Sequence, residues 1–154
     1  MKRRETIIIE NVLRKSLFGS NPKLAKEYGT TEITIGFQRN NGGRELVDFL
    51  SYDPKNNIFR CYEIKVTMSD FHSSAAKSWY GHYNYLVLSE DLYRKKPLSW
   101  WKSHVPDSVG ILVVNTDTEH KQTVKKPVKS HVDDGICDML KDSLIRTLFY
   151  QTVR

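Results

Sequence analysis

Apolar and polar positions along the chain follow two rhythms, one of 3.6 residues and one of two. Over residues 4–18, Ile8, Ile9, Val12, Leu13 and Leu17 recur at the spacing of one helical face, with Arg14 and Lys15 directed outward, which predicts a first helix. Pro22 and Gly29 bracket the next stretch and leave room for a short helix at most. "TTEITIGF" then alternates Thr31, Ile33, Ile35 and Phe37 against polar neighbours, the period of a half-buried strand. "QRNNGG" at 38–43 reads as a turn, "RELVDFLSY" as a second strand, "DPKNN" at 53–57 as a second turn, and "IFRCYEIKVT" as a third strand. These three strands predict an antiparallel meander.

Residues 69–80 read as a helix with Ser69 or Asp70 as N-cap. "YNYLVLS" and "SVGILVVN" are continuous apolar runs of the kind found in strands buried on both faces. The segment between them, 90–107, reads as a loop with a short helix. From Asp133 onward, Ile136, Met139, Leu140, Leu144 and Leu148 mark a closing helix. The order is helix, meander, helix, then strands whose crossover predicts parallel addition. It implies an α/β sandwich, a mixed sheet with an antiparallel meander core flanked by helices. With no repeat and no linker, residues 1–154 are expected to form a single domain.

Composition narrows the class. The apolar share of 39% and charged share of 27% are ordinary for a globular protein, and no run of about 18 apolar residues could span a bilayer. The expected partner is therefore not a membrane. Glu10 and Asn11 interrupt the isoleucine run after "MKRR" too early for a secretory signal. Cys61 and Cys137 lie in different elements without CxxC spacing, which argues against a disulfide framework or a zinc knuckle and for a reducing, cytoplasmic setting. The net charge of +6 is concentrated in "MKRR", "RKK" at 94–96 and "KQTVKKPVKSH" at 121–131. Such clusters attract phosphate backbones, though they serve solubility equally well.

Chemistry enters with the charges inside the apolar runs. Asp48 sits between Val47 and Phe49 in the second strand, and Glu63 and Lys65 interrupt the third. Residues two apart in a strand share a face, about 7 Å apart. The turn at 53–57 would bring Asp48 alongside Glu63, and two neighbouring carboxylates repel unless a proton or cation is shared. Magnesium accepts one or two carboxylates, a carbonyl and waters. The bare pattern acid, any residue, lysine is not informative, since it also occurs as "DPK" at 53 and "EHK" at 119. Only "EIK" at 63 lies within an apolar strand. The competing reading is a cross-strand ion network on a solvent face.

Asp48 followed by Glu63-Ile64-Lys65 resembles the PD-(D/E)XK nuclease superfamily, whose restriction-endonuclease-like fold carries Asp and then Glu-x-Lys on a meander. Val47 stands where that superfamily often has proline. Within it, "EIKVTMSDF", "KSWYGHYNYLVLS" and "VGILVVN" are similar to the MmcB-like DNA-repair group, over about residues 44–115. The resemblance implies a magnesium-dependent deoxyribonuclease, with manganese as a substitute metal, acting in repair, recombination or defence in a bacterial or phage cytoplasm. It implies that Asp48, Glu63 and the Ile64 carbonyl hold the metal and that Lys65 orients the attacking water or offsets transition-state charge. Glu10, expected to face away from Ile8 and Val12, is the candidate for the first-helix glutamate, with Glu5 as substitute.

Lys77 and Tyr80, three apart, are expected on one face of the second helix, where the resemblance implies contact with substrate phosphate, against the simpler reading of Tyr80 as helix packing. The resemblance also allows a homodimer. His72 and His82 lack ligand spacing and are expected at the surface, and Trp100 and Trp101 are expected to cover the edge of the core. A chain of this fold that binds nucleic acid or a protein without cutting is the alternative.

Overall fold

Helix α1 (Arg4–Ser16) begins with Glu5 in its first turn and ends with Arg14 and Lys15 in its last, charges that suit the two ends of the helix dipole. Its buried side includes Ile9, Val12 and Leu13. The computed structural model describes residues 2–36, 45–73 and 77–153. After α1 come β1 (Tyr28–Ile35), β2 (Glu45–Asp53), β3 (Ile58–Lys65), α2 (Met68–Ser73), β4 (Tyr83–Ser89), α3 (Glu90–Tyr93), α4 (Leu98–Ser103), β5 (Gly110–Val114), β6 (Lys121–Lys125) and α5 (Asp134–Thr152).

Among the described residues these strands make one six-stranded sheet in sequence order. β1, β2 and β3 pair antiparallel, β3, β4 and β5 pair parallel, and β6 returns antiparallel to β5. Alternation along β4 and β5 divides the core. Val87, Leu112 and Val114 join Phe49, Tyr62 and Ile64 beneath α1. Their neighbours Leu86, Leu88, Ile111 and Val113 project to the other face, around Leu92 and Trp101. On that second face Cys137, Leu140 and Leu144 of α5 cover Ile33, Val47, Leu50, Phe59 and Cys61. The molecule is an α/β sandwich with a mixed sheet, as the pattern predicts, and Cys61 and Cys137 are free and buried.

Several details differ from expectation. Strand β6 has exposed polar residues at its start and no apolar run, so alternation could not announce it. In β1 the buried threonine is Thr30, which bonds Gln151 of α5, rather than Thr31. Glu32 adopts a left-handed φ of 57° and resets the alternation between Thr30 and Ile33. Helix α2 ends at Ser73, and residues 77–80 are not helical, with Trp79 at a φ of 52°. Thr67 caps α2 through its hydroxyl to the Asp70 N–H at 3.0 Å, ahead of the expected Ser69 or Asp70. The turn at 38–43, with Phe37 and Arg44, lies outside the described residues, as do residues 74–76 of the expected helix.

Tryptophan 101 is fully buried, its indole N–H donating to the Tyr93 carbonyl at 2.9 Å, so this residue does cover the core. His82 is a correction. Rather than lying at the surface it is buried, and its Nδ1 accepts the Phe59 N–H at 3.0 Å while its own N–H donates to the Phe59 carbonyl. Burial, with the charges of Lys129, His131 and Arg60 nearby, holds its pKa below the usual 6.5. A depressed histidine contributes stability above the unfolded-state value that is lost as pH falls. His82→Ala is expected to cost about 1–3 kcal/mol by leaving the Phe59 N–H without its acceptor. Urea titrations at pH 5 and pH 8 should show the penalty shrinking at the lower pH, where wild type has itself lost this contribution.

Candidate active site

Pairing between β2 and β3 runs from Asp53 opposite Ile58 to Phe49 opposite Tyr62 and stops there. One step further, the Ile64 N–H donates to Oδ2 of Asp48 at 2.7 Å, so a side chain replaces the backbone carbonyl as acceptor. The strands part at this point. A cavity of about 380 Å³ opens at their ends, and its lining includes Glu10, Asp48, Ile64, Lys65 and Lys77. Five of the residues singled out in the sequence therefore meet in one space.

Glu63 does not open onto that cavity. It is 3% exposed, and the Lys77 ammonium lies 3.3 Å from its Oε2. The same ammonium donates to the Leu46 carbonyl at 3.3 Å. Alignment toward the carboxylate is poor enough that Oε2 has no hydrogen-bond donor among the described residues. Burial, first, and the neighbouring Asp48 carboxylate, second, push the Glu63 pKa up to about 8 against the opposing pull of Lys77. At neutral pH Glu63 therefore holds a proton.

Two expectations need correction. Lys77 and Tyr80 do not share a helical face, because no helix reaches them. Lys77 still arrives at the site, from a non-helical segment, while Tyr80 packs with the cluster beneath α5 and does not line the cavity. Glu10 does not face solvent. It is 7% exposed, lines the cavity and takes an ion pair from Lys2. Lys2 also reaches Oε1 of Glu32 at 2.9 Å. Lys2, Thr6, Glu32, Leu46 and Asp70 complete the lining and were not foreseen there. Glu32 looks like an ordinary outward residue of a strand, and its left-handed backbone has no signature in "TTEITI".

The donor chemistry fits a hard divalent cation. Asp48, Glu63 and a main-chain carbonyl would offer oxygen donors, and the buried Glu63 Oε2 lacks a hydrogen-bond donor among the described residues. Two carboxylates suffice for magnesium, which keeps several waters. Among the described residues no three His, Cys, Asp or Glu side chains converge closely enough to form a closed metal cluster. Lys2 and Lys77 stand as internal counter-ions where a cation could bind.

Comparison with known proteins adds the fold alone. Neither the known family profiles nor the curated proteins contain a match to this chain. A solved structure described as the SPO1766 protein of unknown function from Silicibacter pomeroyi is similar over 94% of this chain and 83% of its own. The TM-score is 0.63 at 12% identity. No helix among the described residues is long and apolar enough to cross a membrane.

The state of Glu63 has a measurable consequence. A carboxyl raised from 4.5 to about 8 binds its proton more tightly folded than unfolded, so its contribution to stability is lost as pH rises across that interval. Glu63→Gln keeps a neutral side chain of the same shape. Its melting temperature should match wild type near pH 4.5 and exceed it by a margin that widens steadily toward pH 8, as read by scanning fluorimetry across that range. A constant difference at all pH values would contradict the protonated assignment.

Proposed function

We propose that this chain is a metal-dependent nuclease that hydrolyses phosphodiester bonds in DNA, of the PD-(D/E)XK type. The observation that carries the reading is the parting of β2 and β3 at Asp48, which gathers Asp48, Ile64, Lys65, Lys77 and Glu10 around one cavity beside a buried, unsatisfied Glu63. In this reading Asp48, Glu63 and the Ile64 carbonyl hold magnesium or manganese, which supplies a bound water of lowered pKa and positive charge for the phosphate.

The chain's own groups set the conditions. Asp48 is fixed by the Ile64 N–H and cannot swing away, so one carboxylate is positioned in advance. Glu63 must release its proton before it can act as a full ligand, and a nearby cation favours that release. Lys65 brings an ammonium to the cavity, close to where a phosphate would gather negative charge. Lys77 is held by the Leu46 carbonyl and lies at the boundary between cavity and Glu63. In the resting site it lies beside the protonated Glu63, from where its ammonium could serve a phosphate oxygen. Such an enzyme, with two free buried cysteines and basic clusters, suits a bacterial or phage cytoplasm.

A second reading rests on a specific observation. Both buried glutamates already have lysine partners, Lys2 on Glu10 and Lys77 on Glu63, an arrangement that also suits a chain that binds nucleic acid without cutting it.

Incubation with labelled single-stranded, duplex and branched DNAs separates the two. With magnesium or manganese, wild type is expected to cut at least one substrate, and Asp48→Ala and Lys65→Ala each to lose at least about a hundredfold in rate, since each removes a group acting on the developing charge. Binding without cleavage by wild type in either metal would favour the second reading.

A further inference from the structure

A second and larger cavity, about 590 Å³, lies at the other end of α1. Its volume falls within the roughly 300–1,000 Å³ of small-ligand pockets. Leu17 and Phe18 form an apolar wall, while Arg60, Lys26 and Lys121 bring positive charge. The acids on its lining are already engaged. Glu27 is ion-paired with Arg60, and Asp53 accepts from the Lys55 and Asn56 N–H groups and the Asn56 side chain. Lys26 and Lys121 have no ion-pair partner among the described residues. The cavity therefore offers unneutralised cations beside an aromatic ring, which is the chemistry that recognises an anion carrying a flat apolar group.

The two cavities lie along one flank of α1. Thr6 and Glu10 line the first cavity, and Ser16 and Leu17 line the second. At about 1.5 Å per residue, roughly 10–15 Å of helix separates them. Half-exposed Arg14 lies nearest that flank, while Arg4 and Lys15 turn to the other side of the helix and Lys15 pairs with Glu119. A stacked strand rises about 3.4 Å per nucleotide, so the two cavities are about three or four nucleotides apart.

Resting on the nuclease reading above, we propose that this second cavity is a subsite for one unstacked nucleotide of the substrate strand. Its phosphate lies between Lys26 and Lys121 and its base against Phe18. A paired base is stacked within the duplex and cannot enter such a pocket. The substrate is therefore single-stranded at this position, and basic side chains beside a stacking aromatic are how single strands are held.

The test uses Lys26→Ala/Lys121→Ala and Phe18→Ala in the full chain, with circular dichroism to confirm folding. Fluorescence anisotropy in EDTA measures binding of single-stranded oligonucleotides of 2–12 nucleotides and of a blunt duplex. Hydrolysis of bis(p-nitrophenyl) phosphate with manganese reports the first cavity alone. Wild type should gain affinity once the oligonucleotide exceeds about four nucleotides. The double variant should lose about tenfold and flatten the salt dependence by about 1.4 in log–log slope. Phe18→Ala should lose about tenfold with little change in that slope. Hydrolysis of the small ester should be unchanged in both. Variants that bind every oligonucleotide as wild type does, while Asp48→Ala still abolishes cleavage, would overturn the subsite and leave the nuclease standing. Neither binding nor hydrolysis by wild type would remove both.

Discussion

The bond from the Ile64 N–H to the Asp48 carboxylate decides the shape of this molecule's working end. A backbone donor in a strand is ordinarily satisfied by the neighbouring strand, and burying it unpaired is costly. Here the pairing of β2 with β3 ends at Phe49 and Tyr62, and an ionisable side chain receives the next donor. Hydrogen bonds to charged acceptors are stronger than those to neutral ones, so the exchange stabilises an open junction that a continuous ladder would have closed. The cavity, the position of Asp48 and the access of Lys65 to it all follow from that substitution of acceptor.

Electrostatics around the opening follow an order of magnitudes. Burial of Glu63 and the repulsion of Asp48 together outweigh the attraction of Lys77, which is why an ammonium 3.3 Å away does not keep Glu63 ionised at neutral pH. Lys77 is shared between that carboxyl and the Leu46 carbonyl, and its reach toward each is the same 3.3 Å. It is held in place more than it is bonded. On the other side of the cavity Lys2 spans Glu10 and Glu32, so that strand β1, helix α1 and the segment before it are tied by one ammonium. A site lined by lysine-bridged acids is close to neutral overall, yet it can expose several oxygen ligands if the lysines move.

The sheet was largely legible because its central strands are. β4 and β5 are apolar at nearly every position, and the helices on either side keep their 3.6-residue spacing. Asp48, Glu63 and Lys65 were legible for the complementary reason, since charges within apolar strands need a partner. What escaped detection depends on backbone conformation or on distant contacts. Glu32 leaves its expected face through one left-handed residue. His82 is buried because the parallel strand brings it to the Phe59 N–H, a pairing 23 positions away in sequence. β6 is an edge strand whose exposed lysine and glutamine hide its pairing with Val113 and Val114. Lys77 was found for an incorrect reason, as a helical neighbour of Tyr80, and it reaches the site from a non-helical segment, where the Leu46 carbonyl holds it.

Topology accounts for where the opening lies. β3 is the strand at which the sheet changes character, antiparallel to β2 on one side and parallel to β4 on the other. A parallel neighbour requires a crossover, so the chain leaving the carboxyl end of β3 must travel back before β4 can begin. That crossover contains Lys77, and on its return Ser78 is tied by its N–H and hydroxyl to the carboxylate of Glu45 at the start of β2. The carboxyl end of β3 is thus left without an antiparallel return, beside a β2 whose first residues have already parted from it. Asp48, Ile64 and Lys65 lie at that point because the sheet's change of direction and the loss of β2–β3 pairing coincide there, and the chemistry of the cavity is a consequence of where the strands run out of partners.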